Sequence, residues 1–315
     1  MRLALIGQAA FGEAVFKALR ERGEEVVVVC APEPRPGARP DPLWAAAEAA
    51  GVPVLPTRGL RRDEAVIQRF FARQPELGVM AYVTEIIPER VLFGPPLGTI
   101  QYHPSLLPKH RGASAINWAI MQGETKTGLT IFWPDRGIDT GPILLQKEVE
   151  IGPDDTVASL YFNKLFPLGV EALVEAVELV KQGKAPRIEQ DHSQATYEPI
   201  CRDEHTWIAW DADPARVYNL IRGANPTPGA NATFRGAQIK IFDSARTTAP
   251  RLGAPGEILD ITSEGVVVAL ASGALLIKRV QVPGQPKVAA SEWARAVEAR
   301  PGERFAGRGA LGELS

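Results

Sequence analysis

The sequence holds two cysteines, Cys30 and Cys201, in 315 residues. Thiols that far apart make neither a disulfide framework nor a metal-ligand cluster. Cys30 ends the apolar run Val26-Val27-Val28-Val29 and reads as a buried, inert thiol. An excess of charge of one sign is also missing. The formal net charge is -2, so no global basic field draws in nucleic acid. No apolar run approaches the ~20 residues that span a bilayer, and no signal peptide is evident. A cytoplasmic protein without membrane contact is the expectation. Internal repeats and low-complexity tracts are absent. What is present is an ordinary globular balance, 45% hydrophobic and 23% charged. It supports a sizeable core, and the length points to two domains.

Leu3-Ala4-Leu5-Ile6 is a short continuous apolar run, as in a strand covered on both faces. Gly7 permits a tight turn, and Phe11, Val15, Ala18 and Leu19 follow at helical spacing. Further strands are predicted over 25–30, 52–55, 77–83, 99–102, 129–133 and 143–149. Helices are predicted over 45–50, 63–73 and 113–121. A long helical stretch over 156–181 contains Pro167, which should kink or divide it. This alternation predicts an α/β fold with a doubly wound, mostly parallel, Rossmann-like sheet. The character changes after Pro186. Residues 188–194 read as a polar connector and 213–223 as a short helix. Short strands over 238–242, 256–259, 266–270 and 274–278, set apart by turn residues, predict a second, smaller OB-like β-barrel. The expected division is 1–190, a linker over 191–205, and 206–315.

The stretch Gly7-Gln8-Ala9-Ala10-Phe11-Gly12 lacks the second glycine of a dinucleotide fingerprint. Ala9 stands in its place, and no acid closes the second strand. Its glycines are read as packing residues. The informative residues are His103 and Asp139. Each follows an apolar run and lies among loop-forming residues, which puts an imidazole and a carboxylate at strand ends, where α/β sheets carry their chemistry. Together they are a basic kit for acyl chemistry. Gln101 and His103 alternate along a strand and share a face. Pro104 and Pro108 stiffen the loop around Ser105, Leu106 and Leu107. Lys109, His110 and Arg111 read equally as a solvated basic turn and as a contact for an anionic substrate tail.

His103-Pro104-Ser105-Leu106-Leu107-Pro108, with Arg111-Gly112-Ala113 and then Asp139-Thr140-Gly141, resembles the signature of the 10-formyltetrahydrofolate-dependent formyltransferases. The resemblance runs through Asp155-Thr156 and Leu160-Tyr161 to Ile221-Arg222-Gly223-Ala224-Asn225-Pro226, nearly the whole chain. Within the family, the hydrolase domain of 10-formyltetrahydrofolate dehydrogenase looks most similar, on the residues from His110 to Trp118, on Ile131-Phe132-Trp133 and on Gly183-Lys184-Ala185-Pro186-Arg187. Methionyl-tRNA formyltransferases come next, and their basic insertion appears here as Pro34-Arg35-Pro36-Gly37-Ala38-Arg39, without lysines. Sugar-nucleotide formyltransferases are a third relative.

The resemblance implies a folate-dependent one-carbon enzyme without a metal. The formyl group of 10-formyltetrahydrofolate would pass to water, as in a hydrolase, or to an amine, aminoacyl-tRNA included. His103 would donate to the formyl oxygen, with Gln101 as a second donor, and Asp139 would orient His103 or accept a proton. The same resemblance assigns the folate pocket to Tyr82, Glu85, Ile86, Ile87, Ser105, Leu106, Leu107, Pro108 and Ile138. Gln101 departs from the pattern, because the family's transferases usually carry Asn there and the dehydrogenase's hydrolase domain an aliphatic residue. An added methylene moves the amide by about an ångström, enough to cost roughly 100-fold in rate at a catalytic site. A catalytically impaired folate binder is therefore an alternative. An RNA-associated reading, with the barrel as the contact, ranks last, because that segment is not strongly basic and its aromatics are sparse.

Overall fold

The computed structural model describes residues 1–310. The last five residues of the expected C-terminal segment, 311–315, lie outside the described residues. The chain divides into two compact units. The first comprises Met1–Gly112, Gly128–Val149 and Asn163–Tyr197. The second comprises Ala113–Thr127, Glu150–Phe162 and the chain from Glu198 onward.

Up to residue 181 the elements are β1 (Arg2–Gly7), α1 (Ala9–Glu21), β2 (Glu25–Ala31), α2 (Pro42–Ala49), β3 (Val54–Pro56), α3 (Gly59–Arg62), α4 (Glu64–Phe71), β4 (Leu77–Ala81), α5 (Glu89–Leu92), β5 (Thr99–His103), α6 (Ala115–Met121), β6 (Lys126–Phe132), β7 (Ile143–Glu150), α7 (Val157–Leu160) and α8 (Phe166–Lys181). The apolar runs follow from burial on both faces. Leu3 and Leu5 of β1 join a core that includes Phe11, Val79, Ile100 and Leu173, while Ala4 and Ile6 join one on the other face with Phe70, Met80 and Leu92. A strand alternates its side chains, so a run apolar at every position is what two covered faces require.

The sheet order is β3-β2-β1-β4-β5-β6-β7. The pairs β1–β2, β1–β4, β2–β3 and β4–β5 are parallel. Successive strands leave β1 toward β3 on one side and β4 toward β7 on the other. The carboxyl ends of β1 and β4 therefore flank a topological switch point, the usual ligand crevice of such sheets. The pair β5–β6 is antiparallel, with Gln101 opposite Phe132 and His103 opposite Thr130. The end of β6 thus lies beside Gln101 rather than beyond His103, and the loop to β7 must fold back for its carboxylate to reach the imidazole. An apolar run does not encode strand direction, so the sequence pattern could not show this.

Local caps set several boundaries. Asp41 accepts from the Leu43 amide at the start of α2, and Asp63 from the Ala65 and Val66 amides at the start of α4. Such caps satisfy amides that the helix itself leaves unpaired. Strand β4 stops at Ala81, short of the expected 83, because Tyr82 takes a left-handed backbone (φ 61°). Gly7 sits opposite Ala81, and a side chain there would meet the Ala81 carbonyl oxygen at 2.5 Å. The N-terminus of α1 is occupied from within the protein, since the Ala9 amide donates to Asp41 Oδ2 at 2.8 Å. A carboxylate stands where a dinucleotide fold would hold phosphate.

Pro167 does not break the long helical stretch, which runs unbroken over Val157–Lys181 with a change of helix type just before the proline. A π-helical turn, Tyr161–Leu165, precedes α8, and the proline falls in the first turn of α8, where its missing N–H leaves no gap. By length and composition the whole stretch Val157–Lys181 could cross a membrane. That corrects the expectation that nothing reaches this length. In the fold, Ala172, Leu173, Ala176 and Val177 of α8 pack into the sheet core, as a core helix does.

Lys181 also anchors Glu24, whose carboxylate meets Lys181 Nζ and the Met1 ammonium at 2.7 Å each. Burial acts to raise the Glu24 carboxyl, but the hydrogen bonds and charges of these two cations outweigh it and hold it below the usual 4.5. Glu24→Gln is expected to lower stability by about 1.5–3 kcal/mol, toward the lower end because Lys181 is half-exposed. Thermal unfolding at neutral pH checks it. A depressed carboxyl stabilises the fold above its unfolded value, so the deficit should shrink as pH falls from about 4.5 through the lower folded value. A deficit that grows on acidification would contradict this.

The second unit adds α9 (Pro214–Gly223), β8 (Ala230–Phe234), β9 (Ala237–Ile241), β10 (Ser244–Thr247), β11 (Ile258–Ile261), β12 (Val266–Ala269), β13 (Ala274–Ile277), β14 (Arg279–Gln281), β15 (Val288–Ala289), α10 (Ala290–Ala296) and β16 (Phe305–Ala306). Its strands form two antiparallel sheets, ordered β10-β13-β12-β11 and β15-β14-β9-β8-β16. Ile239, Ile241 and Val280 from one sheet share a core with Ile258, Val268 and Ile277 from the other.

Candidate active site

Strand β5 brings Gln101 and His103 to one face, two residues apart, with Gln101 half-buried and His103 buried. The loop beyond is built from its own polar groups. Ser105 Oγ donates to the Lys109 carbonyl, and Thr130 Oγ1 donates to the Ser105 carbonyl while accepting from the Leu107 amide. Gln146 Nε2 reaches both the Leu107 carbonyl and Thr130 Oγ1. Ser105 and Leu107 are therefore buried, with their polar atoms engaged inside the loop, whereas Leu106 and Pro108 are half-buried.

His103 and Asp139 come together. His103 Nδ1 lies 3.5 Å from Asp139 Oδ2, with the two residues 5% and 8% exposed. His103 Nε2 lies 2.8 Å from the His110 carbonyl oxygen. That oxygen only accepts, so Nε2 carries a hydrogen. Nδ1 is then the ring nitrogen that faces the Asp139 carboxylate. At 3.5 Å the two atoms lie beyond short hydrogen-bond distance, and the Nε2 contact with the His110 carbonyl fixes the direction in which Nδ1 points. Asp139 Oδ2 also accepts from the Gly112 amide at 2.9 Å. Both contacts fall on the same carboxylate oxygen.

Asp139 takes a left-handed backbone (φ 55°), which aspartate tolerates better than most side chains. Its loop is an internal turn. Asp135 Oδ1 accepts from the Gly137 amide and from Thr140 Oγ1. The Trp133 amide donates to the Pro142 carbonyl at the neck. Gly141 packs so close to the Trp133 carbonyl that any side chain there would overlap it.

The Lys109–Arg111 turn follows neither of its two readings. His110 and Arg111 are buried, and only Lys109 is exposed. Arg111 Nη2 donates to Gln190 Oε1 at 2.7 Å and reaches His192 Nδ1 at 2.9 Å. Gln190 Nε2 in turn donates to the Asp139 and Gly141 carbonyls, at 2.9 and 2.7 Å. Thr196 closes the frame, since its hydroxyl accepts from the His110 amide and its carbonyl from the Arg111 amide. Sequence reasoning missed Gln190 and Thr196. Both lie in or just past a polar segment with no periodicity to mark them.

The remaining predicted residues lie on the loop leaving β4 and on the Asp139 loop. Tyr82, Ile86 and Ile138 are 47%, 71% and 57% exposed. Glu85 pairs with Arg58 at 3.0 Å, and Thr84 Oγ1 donates to Gln8 Oε1 at the end of β1. Ile87 turns inward and packs with Val91 and Leu92. Among the described residues no group of three or more His, Cys, Asp or Glu side chains is placed to hold a metal ion.

Residues 1–177 match the formyl transferase family model, and residues 201–298 match that of the formyl transferase C-terminal domain. The chain belongs to the formyl transferase family. It is 41% identical over 312 residues to mitochondrial 10-formyltetrahydrofolate dehydrogenase from Mus musculus, covering 95% of this chain and 34% of that protein. It is 44% identical over 252 residues to the cytosolic 10-formyltetrahydrofolate dehydrogenase of Homo sapiens, covering 79% and 28%. The chain thus spans about a third of the length of these dehydrogenases. Methionyl-tRNA formyltransferase from Desulforamulus reducens is 35% identical over 308 residues, covering 96% of each. The fold is also that of HypX from Aquifex aeolicus, solved in complex with tetrahydrofolic acid, at TM-score 0.72 and 20% identity over 96% of this chain and 48% of that one. The family models and the sheet order bear out the expected fold class, an α/β unit with a mostly parallel, Rossmann-like sheet and a second, smaller domain of antiparallel strands.

Proposed function

We propose that this formyl transferase takes the formyl group of 10-formyltetrahydrofolate and, with His103, Asp139 and Gln101, delivers it to water. The observation that carries the reading is the His103–Asp139 pair at 3.5 Å beside the switch-point crevice, in a chain whose identity to 10-formyltetrahydrofolate dehydrogenases exceeds 40%. The exposed Tyr82, Ile86 and Ile138 suit the flat face of a heteroaromatic ring such as a pterin.

In this mechanism a water oxygen attacks the formyl carbon and its proton passes to Asp139 Oδ1, the oxygen not held by Gly112. The carbonyl electron pair moves to the formyl oxygen, which His103 Nδ1–H meets as a preorganised donor. Gln101 shares the strand face and offers its amide N–H to the same oxygen. Collapse breaks the carbon–N10 bond, N10 takes the proton held by Asp139, and formate and tetrahydrofolate leave with one net proton released.

Transfer to an amine follows the same steps with nitrogen as the nucleophile. The end-to-end match with methionyl-tRNA formyltransferase favours this as the second reading. Incubation with 10-formyltetrahydrofolate alone separates the two. Steady release of formate is the expected result. Turnover that appears only on adding methionyl-tRNA or an amino sugar nucleotide replaces water with that acceptor. Tight folate binding without turnover under any of these conditions leaves the impaired binder instead.

A further inference from the structure

We infer that Gln190 is a positioning residue, one that sets the Asp139 carboxylate for proton transfer without touching substrate. The inference deepens the proposed reaction and rests on it. Gln190 is buried, and every polar atom of its side chain is in use. Its oxygen accepts from Arg111 Nη2 and Nε at 2.7 and 3.3 Å. Its nitrogen donates to the Asp139 and Gly141 carbonyls, which flank Thr140. One amide therefore ties down both sides of a turn whose first residue, Asp139, has φ 55°. The same Arg111 stands between His110, whose carbonyl holds His103 Nε2, and Gly112, whose amide holds Asp139 Oδ2. Imidazole, carboxylate and the backbone beneath the carboxylate are all referred to three consecutive residues. Gln190 is the member that carries this frame to the Asp139 backbone.

The amide is needed in both its parts. Glutamate at 190 keeps an acceptor for Arg111 but has no hydrogen to give the two carbonyls. Its second oxygen would face them as acceptor against acceptor, and the turn would shift away. Methionine keeps the length and offers neither part. A shift of about 1 Å at a catalytic group costs on the order of 100-fold in rate.

The test uses Gln190→Glu and Gln190→Met in the full chain, with three measurements. They are turnover of 10-formyltetrahydrofolate under the conditions found for the unsubstituted protein, binding of tetrahydrofolate, and hydrogen exchange over residues 135–141. Both variants are expected to lose kcat about 10- to 100-fold, to bind tetrahydrofolate as the unsubstituted protein does, and to exchange faster over 135–141 with the sheet strands unchanged. Unchanged kcat in Gln190→Glu, or lowered kcat without faster exchange over 135–141, overturns the inference. So does a loss that appears as weaker folate binding or as loosening of the whole sheet. If the unsubstituted protein turns over no formyl donor, the proposed reaction fails. The exchange data then still decide whether Gln190 holds the turn.

Discussion

Asparagine in place of Asp139 lowers formyl turnover on the order of 100- to 10,000-fold, the range that loss of a positioned general base produces. The substitution keeps the shape of the side chain and an oxygen for the Gly112 amide. It removes the carboxylate that the proposed mechanism uses to take a proton from the attacking water or amine. It also removes the charge opposite His103 Nδ1, at 3.5 Å. Folate binding should stay measurable, because all the residues proposed to face the pterin except Ile138 lie on the loop after β4 and in the His103–Pro108 turn. Single-turnover assays with a parallel tetrahydrofolate titration read the two effects separately. Near-full turnover in Asp139→Asn would remove the carboxylate from the reaction and with it the proposed route of the proton.

The contrast between what the sequence displayed and what it hid follows the range of the interactions. β1, β2 and β4 were legible because a strand covered on both faces is apolar at every position. The turn chemistry around His103 and Asp139 was legible because prolines and glycines mark it locally. β8 escaped notice because two of its buried residues, Asn231 and Thr233, are polar. Asn231 Nδ2 donates to Thr206 Oγ1 and Thr233 Oγ1 to the Ala306 carbonyl, partners that no local window contains. The frame around Asp139 was hidden for the same reason. Arg111 and Gln190 are 79 residues apart, and Gln190 and Asp139 are 51 apart. A lone polar residue in a connector leaves no pattern, however completely the fold uses it. The direction of β6 belongs here too, since it depends on the crossover and not on the strand's own residues.

Alanine at His103 is expected to lower turnover on the order of 100- to 1,000-fold, the effect of losing one donor at a developing oxyanion. The argument rests on how the ring is held. The His110 carbonyl takes the Nε2 hydrogen, so only Nδ1 is left to meet the formyl oxygen, and Asp139 Oδ2 lies 3.5 Å from that same nitrogen. The two residues then act as one device, and their losses should not add. The variant carrying both His103→Ala and Asp139→Asn is expected to fall no more than about 10-fold below the weaker of the two single variants. Kinetics on the four proteins of this cycle decide the matter. Losses that multiply would mean that imidazole and carboxylate serve separate steps, and the shared Nδ1 hydrogen would no longer explain why they lie where they do.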